Sequence, residues 1–258
     1  IIGAGVMGTF HAFHAAKKGK SVLLLEKNSR PVGSTIQNFG QVVPGGLDTF
    51  WKKYGRRSLE IYEELQKTED FTLVRNGSVY VASDEEELKL IQELQQINEQ
   101  QGYASEILDP IQTALRYPDI NKDYIRGAIF FPEEFSVDSS QFIYKVIEYC
   151  QRHLEVDYLP NSMAIEIKEN LGEVLVKTAA GKLFTGKKAI VCGGYETSVL
   201  YPEIFAESGL VMVKLQMLKT KPLHHINLMS NILTGLTIRR YEAFEECPSF
   251  SQFATPKK

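Results

Sequence analysis

The sequence has little cysteine, little histidine and no long apolar run. Its three cysteines form no C-x-x-C pair, and its five histidines show no metal-ligand spacing. We therefore expect no zinc ribbon, no redox dithiol and no bound metal. Sparse, unpaired thiols are typical of a reducing compartment, so we expect a cytoplasmic protein. No apolar stretch approaches the roughly 20 residues that a membrane-spanning helix needs, so we expect no membrane partner.

A large excess of charge of one sign is also missing. The chain carries 29 Lys and Arg against 32 Asp and Glu, which gives a formal net charge of −3. Without a basic excess we expect no nucleic-acid partner. Hydrophobic residues make up 43% and charged residues 24% of the 258 positions, which excludes a disordered, collagen-like or coiled-coil chain. The length predicts one large domain or two intimate ones.

Hydrophobic periodicity predicts a mixture of helices and strands. The predicted helices are 6–18, 48–67, 84–101 and 138–152. The predicted strands are 1–2, 21–26, 127–131, 155–158, 163–168, 173–178, 188–192 and 209–220. A hairpin is also predicted from 71–75 to 78–82 across the turn Asn76-Gly77.

This order of elements predicts an α/β fold with two domains. The chain starts as β-α-β, whereas its middle is antiparallel with helices. We therefore expect a Rossmann-like dinucleotide-binding domain with an inserted antiparallel-sheet α+β substrate domain. The first domain is predicted at 1–75 and 135–205, and the second at 76–134 and 206–258.

Three glycines near the amino terminus fit the pattern G-x-G-x-x-G. Gly3 permits a tight turn out of the first strand, Gly5 lets the backbone approach a pyrophosphate, and Gly8 lets the helix pack against the sheet. The helix that begins near Val6 would offer free N–H groups and a positive dipole end to the phosphates. A plain tight turn is the alternative interpretation of three glycines alone.

An acidic residue follows the glycines at the spacing that ribose recognition needs. Glu26 ends the apolar strand Ser21-Val22-Leu23-Leu24-Leu25, about 20 residues after the first glycines. Its charge would repel a 2′-phosphate, so this unit predicts FAD or NAD rather than NADP. A solvated carboxylate at a strand end is the plain alternative, and the unit by itself does not separate FAD from NAD.

Further segments, in the same order, resemble the D-amino-acid oxidase / glycine oxidase (DAO) superfamily of flavoenzymes. They are 3–26, 33–41 (GSTIQNFGQ), 135–138 (FSVD), 163–164 (MA), 189–195 (AIVCGGY) and 209–222. The resemblance covers the chain from residue 1 to about 250 and implies FAD as the cofactor of the first domain. The residues that it assigns to FAD are Gly3, Gly5, Val6, Met7, Gly8, Glu26, Lys27, Ser34, Thr35, Asn38, Phe39, Gly40, Gln41, Met163, Ala164, Gly193 and Gly194.

The resemblance also implies a place for each segment on the cofactor. Ser34 and Thr35 would lie near the pyrophosphate, and the backbone of 38–41 near the isoalloxazine ring. The backbone of 163–164 would contact adenine, and the turn at 193–194 would pass under the flavin. Family members are longer and end with a second glycine-rich segment that contacts flavin, so the resemblance implies that this chain is truncated.

The implied reaction is the oxidation of a C–N bond in a small amine or amino acid. A neutral amine would release a hydride from its α-carbon to flavin N5, and the imine would then hydrolyse. Molecular oxygen or another electron acceptor would take the electrons, and no protein base is required. A narrower resemblance, through 38–41 and 233–241, points to aminophosphonates as substrates.

An anionic substrate group needs a cationic partner, and arginine pairs two oxygens at once. No catalytic residue is assigned, but Arg240, Arg239 and Tyr241 are the candidates for binding the substrate anion. If 237–241 is a strand, only one arginine faces the site, and we favour Arg240. Two solvated surface arginines are the alternative.

A few other side chains are weaker candidates for the flavin site. Gln41 and Lys214 could lie near the flavin, although a polar loop residue and a solvated lysine are the plain interpretations. Trp51, Tyr54 and Tyr62 could form an aromatic wall, but at helical spacing we expect them in the core.

Two rival functions remain. An NAD-dependent dehydrogenase would need the same glycine unit, but it predicts parallel β-α-β repeats throughout the chain, and the antiparallel middle disfavours that. A nucleotide-binding fragment without turnover is the second rival, and the segment implied to be missing favours it.

Overall fold

The computed structural model describes residues 1–253 and confirms a mixed α/β fold. The helices are α1 (Val6–Lys17), α2 (Thr49–Thr68), α3 (Glu85–Gln100), α4 (Pro110–Arg116), α5 (Phe142–Leu154), α6 (Pro202–Glu207), α7 (Gly235–Ile238) and α8 (Glu242–Glu245). The strands are β1 (Leu23–Leu25), β2 (Gln41–Val42), β3 (Ser78–Ala82), β4 (Glu106–Leu108), β5 (Gly127–Phe131), β6 (Phe135–Ser136), β7 (Asp157–Leu159), β8 (Ala164–Asn170), β9 (Glu173–Thr178), β10 (Leu183–Gly186) and β11 (Asn231–Leu233). Within the described residues no helix is both long and apolar enough to cross a membrane.

The chain forms two compact units. The first unit contains residues 1–39 and 138–218, and the second contains 40–137 and the chain from 219 onward. These boundaries differ from the predicted ones, because 40–75 and 135–137 lie in the second unit and 206–218 lies in the first. The chain therefore enters the second unit at Gly40, well before the Asn76-Gly77 turn that the sequence suggested as the border.

The first unit contains a short parallel sheet beside an antiparallel one. β1 pairs in parallel with β7, and Ile2 forms parallel bridges to both Leu25 and Val191. The predicted strand 188–192 is therefore reduced to the backbone bonds that flank Ile2. β8, β9 and β10 form the antiparallel sheet. Because Ile2 lies between its two partners, the glycines that follow it emerge at the carboxyl edge of the parallel strands, where ligands bind in such sheets.

The second unit is built on a four-stranded sheet in the order β11-β3-β5-β4. β3 runs antiparallel to β5 and parallel to β11, and all five of its residues are buried. α3 packs on this sheet through Leu90 and Leu94, and the Asp84 side chain caps its first turn by accepting the N–H of Glu87. The predicted start of this helix is confirmed, since its capping residue and apolar spacing lie side by side in the chain.

Two predicted β elements do not form. Residues 71–75 and 78–82 make no hairpin, because β3 pairs with β5 and β11, whereas Val74 forms a bridge to Ser136. The segment 209–220 contains no strand, and side chains on both of its faces, such as Val211 and Met212, are exposed. Alternating apolar residues form a strand only beside a partner, and the described residues provide none for this segment.

Candidate cofactor-binding site

The glycine-rich turn after Ile2 leaves no room for side chains. Gly3 has φ +95°, and a Cβ there would lie 2.3 Å from the carbonyl oxygen of Cys192. A Cβ on Gly8 would lie 1.8 Å from the carbonyl oxygen of Gly3, so the helix packs directly on the turn. A Cβ on Gly5 would lie 3.0 Å from Thr35 Oγ1. The three glycines therefore have the positions that their spacing predicts.

The amino end of α1 is open for an anion. Its first turn contains no acidic residue, and its N-cap residue, Gly5, has no side chain to cap it. The Val6 N–H donates to Thr35 Oγ1 at 3.0 Å, while the side chains of Val6 and Met7 are exposed. A free helix amino terminus with a hydroxyl beside it is a ready site for phosphate oxygens.

Glu26 lies at the carboxyl end of β1 and turns its carboxylate toward the glycine turn. The side chain is only 6% exposed. Its Oε2 accepts the N–H of Ala4 at 3.0 Å, and its Oε1 accepts the backbone N–H of Asn28 at 3.0 Å and the Asn28 amide at 3.3 Å. A carboxylate can accept about four hydrogen bonds, so one acceptor position stays open for a ribose hydroxyl.

A cavity open to solvent lies beside the turn in the first unit. The predicted cofactor residues that line it are Gly3, Gly5, Glu26, Lys27, Ser34, Thr35, Met163, Ala164, Gly193 and Gly194. Tertiary structure thus brings five separate chain segments to one cavity within the first unit.

The other predicted cofactor residues lie outside that lining. Val6, Met7 and Gly8 form the start of α1. Phe39 ends the first stretch of the first unit and is exposed, whereas Gly40 and Gln41 belong to the second unit. Their contacts with a cofactor remain predictions.

The loop between Pro31 and Phe39 is held by its own polar groups. Asn38 Nδ2 donates to the carbonyl oxygens of Ser34 (2.9 Å) and Thr35 (2.8 Å), and Ser139 Oγ donates to the Asn38 carbonyl. Gly33 has φ +78°, and the ring of Tyr195 lies 2.8 Å from the position of a Cβ there. The Asn38 side chain is therefore used inside the loop, which leaves Ser34 and Thr35 facing the cavity.

The segment at 162–164 is fastened to the acidic residue. The Ser162 N–H donates to the carbonyl oxygen of Glu26 at 2.7 Å, and the Met163 carbonyl accepts the N–H of Ala179 at 2.8 Å. Ala164 is buried at the start of β8. The predicted adenine segment and the predicted ribose acid are thus neighbours.

Sequence reasoning did not assign several residues that line this cavity, among them Asn28, Tyr195 and Glu196. Asn28 holds the Glu26 carboxylate, while Tyr195 and Glu196 follow the Gly193-Gly194 turn and line the cavity. Lys27 Nζ donates to Glu196 Oε2 at 2.8 Å. This hydrogen bond raises the pKa of Lys27 and lowers that of Glu196. Asn28, Tyr195 and Glu196 come directly after residues that the sequence analysis assigned to the cofactor, and this adjacency was the signal available in the sequence.

Arg239 does not fit its predicted role in substrate binding. Residues 237–241 form the end of α7 and a turn, so the prediction of a strand there is wrong. Arg239 binds three carboxylates, through Nη2 to Asp84 at 2.6 Å, Nη1 to Glu86 at 2.9 Å and Nε to Glu87 at 2.9 Å. Its side chain is only 12% exposed. Arg239 therefore fastens the chain after α7 to the amino end of α3.

The other candidates for the substrate and flavin sites lie at or near the surface. Arg240 is exposed in the turn after α7. Tyr241 lies with its ring edge-on to Tyr80 at 6.4 Å, and burial raises its pKa. Lys214 is exposed in the irregular segment 209–220, and Gln41 pairs with Ser136 between β2 and β6.

The aromatic residues of α2 divide between surface and interior. Trp51 and Tyr54 are half exposed, so the prediction that they belong to the core is wrong. Their rings contact each other, with centroids 5.5 Å apart. Tyr62 instead packs against Phe135, with ring centroids 5.9 Å apart.

Comparison with known proteins identifies relatives of this chain. The family model described as "FAD dependent oxidoreductase" (DAO) matches residues 1–244. Mitochondrial sarcosine dehydrogenase of Homo sapiens is 28% identical over 144 residues, which cover 54% of this chain and 16% of that protein. The mitochondrial pyruvate dehydrogenase phosphatase regulatory subunit of Mus musculus is 28% identical over 143 residues, with the same coverage of both chains.

Solved structures share the fold at lower identity. Glycine oxidase from Geobacillus kaustophilus is 18% identical with a TM-score of 0.69, over 79% of this chain and 57% of that one. L-amino acid deaminase from Proteus vulgaris, without its specific insertion, is 20% identical with a TM-score of 0.70, over 80% and 55%. The chain thus spans about a sixth of the first curated relatives and just over half of these structures.

Proposed function

The chain belongs to the DAO family of FAD-dependent oxidoreductases, and from this premise we propose that its first unit binds FAD and that the protein oxidises the C–N bond of a small amine, amino acid or aminophosphonate. One observation carries the proposal. A turn whose three glycines leave no room for a Cβ lies beside a buried carboxylate with one open hydrogen-bond acceptor position, and both line one cavity.

The residues at this cavity fit the ADP half of the cofactor. The amino end of α1, with the Thr35 hydroxyl beside it, fits the pyrophosphate. Glu26 fits the ribose hydroxyls, and its charge opposes a 2′-phosphate. The backbone at Met163 and Ala164 fits adenine, since it lies next to the acid. No side chain has to move out of the glycine turn for a phosphate to approach.

The flavin ring, when bound, supplies N5 as the acceptor of a hydride from the carbon beside the substrate nitrogen. The chain's own residues hold and orient this ring. We assign the Gly193-Gly194 turn to the ring. Molecular oxygen or another electron acceptor completes the cycle.

The substrate anion requires a cation that is not already neutralised. Arg239 is paired with three carboxylates, whereas Arg240 is exposed, so Arg240 is the arginine that we assign to a carboxylate or phosphonate. An arginine fork matches the geometry of either anion.

The decisive experiment is a titration of the purified, flavin-stripped chain with FAD, followed by absorbance and by the quenching of flavin fluorescence. We expect saturable binding of FAD and no binding of NAD. Preference for NAD would favour the dehydrogenase rival instead, and binding of neither nucleotide would overturn the proposal.

A second candidate, a flavin-binding protein without turnover, is favoured by one comparison. The relative named as a regulatory subunit is as similar to this chain as sarcosine dehydrogenase is. Peroxide release or reduction of an artificial acceptor with glycine, sarcosine, D-alanine and N-methylated aminoethylphosphonate distinguishes the two. Turnover with any of these amines supports the enzyme, while bound FAD with no turnover supports the second candidate.

A further inference from the structure

A buried carboxyl group in the second unit holds a glycine turn. Glu134 is only 1% exposed. Its Oε1 accepts the N–H of Gly45 at 2.5 Å and the hydroxyl of Tyr103 at 3.0 Å. Its Oε2 accepts the hydroxyl of Ser78. Three donors from three different parts of the unit therefore converge on one side chain.

The turn that Glu134 holds lies directly on it. Residues Pro44–Gly46 form one helical turn immediately after β2. A Cβ on Gly45 would lie 2.7 Å from Glu134 Oε1 and 2.8 Å from the Phe131 ring. No side chain fits between the turn and the carboxyl group, so a change at the carboxyl group reaches the backbone of the turn directly.

The groups that face Glu134 leave it free to change its protonation state. Burial raises the pKa of Glu134 to about 7, against its three donors and the positive charge of Lys52. Lys52 is itself buried, which lowers its pKa, and its Nζ donates to Asn98 and Gln101. The other titratable neighbours, Tyr80, Tyr103 and Tyr241, have raised pKa values and stay neutral around pH 7.

The two protonation states hold the turn differently. A backbone N–H can only donate, so Gly45 needs an acceptor in both states. The ionised carboxylate accepts this hydrogen bond with charge assistance, whereas the protonated carboxyl accepts it as a weaker neutral bond. The added proton can be donated to Ser78, because a hydroxyl also accepts. Protonation therefore weakens the bond to the turn and reverses the direction of the bond between Glu134 and Ser78.

We propose that Glu134 is a positioning residue whose protonation state sets how tightly the Pro44–Gly46 turn of the second unit is held.

Backbone hydrogen exchange at Gly45 and Gly46 tests this proposal without any ligand. Between pH 5.5 and 8.5, after correction for intrinsic exchange, protection in the wild type is expected to rise about fivefold with a midpoint near 7. Glu134→Gln keeps an acceptor but cannot titrate, so its protection is expected to show no step. Glu133→Gln, at the exposed neighbour, is the matched control and is expected to match the wild type.

A second variant keeps the test informative if Glu134→Gln fails to fold. Tyr103→Phe removes one donor that stabilises the ionised carboxylate, so the midpoint is expected to move to higher pH. A wild type without a step, a step that persists in Glu134→Gln, or a midpoint that Tyr103→Phe leaves in place would each overturn the proposal.

Discussion

Glu26 Oε2 accepts the backbone N–H of Ala4 at 3.0 Å, although the two residues lie 22 positions apart. This bond joins the end of β1 to the middle of the glycine turn and fixes the carboxylate before any ligand arrives. A preorganised acceptor spares a ligand the cost of ordering it. Glu26 therefore has two roles, one in the turn and one toward the ribose.

Replacing Glu26 by alanine is expected to weaken FAD binding about 10- to 150-fold. The loss of hydrogen bonds to a charged acceptor is worth about 1.5–3 kcal/mol. Fluorescence titration with FAD gives the dissociation constant. Glu173→Ala, at an exposed position of the same unit, is the control and should bind as the wild type does. Unchanged affinity in Glu26→Ala would remove this residue from the site.

Arg239→Ala is expected to lower the free energy of unfolding by about 2–4 kcal/mol. Removing one partner of a buried ion pair leaves a buried charge, here that of Glu87, without compensation. This expected loss lies toward the lower end of the range for broken buried ion pairs, because the side chains of Asp84 and Glu86 are exposed and solvent screens their charges. Urea unfolding measures it. If stability were unchanged and only substrate binding weakened, the structural role would be wrong.

Arg240→Ala is expected to behave in the opposite way. The side chain is exposed, so the unfolding free energy should change by less than about 0.5 kcal/mol. KM for an amine that carries a carboxylate or phosphonate should rise far more than KM for an uncharged amine. Equal changes for both substrates would show that Arg240 does not contact the anion.

The stability of the wild type relative to Glu134→Gln is expected to fall as pH rises from about 4.5 to about 7. The pKa of Glu134 is raised to about 7 in the folded chain, while the unfolded carboxyl group keeps its ordinary value. Between these values the folded state binds more protons, so its advantage decreases with pH and then levels off. The full change is on the order of 3 kcal/mol, at about 1.4 kcal/mol per pKa unit.

Urea unfolding of both proteins at several pH values measures this difference, and subtraction removes the titration of all other groups. The Glu133→Gln variant should follow the wild type. A difference that rises with pH over the same window would mean that Glu134 is stabilised as a carboxylate, contrary to its burial.

Elements with strong local signals were predictable. The strands Gly127–Phe131 and Glu173–Thr178 have the predicted bounds, and α3 begins after the predicted cap. The glycine turn was predictable because its three glycines follow a short, fixed spacing, although the atoms that exclude a Cβ at Gly3 and crowd one at Gly5 belong to Cys192 and Thr35, far along the chain. The segment 209–220 was not, because alternation shows only that a strand is possible.

The sequence by itself determined the glycine turn, the acid that follows it and the class of fold, because these depend on residue types at short, fixed spacings. Tertiary structure alone decided that Arg239 meets carboxylates 152 to 155 positions away and that Glu134 lies under a glycine 89 positions before it. Contacts over such separations depend on how the strands pair and what they bury, and neighbouring residues carry no record of that.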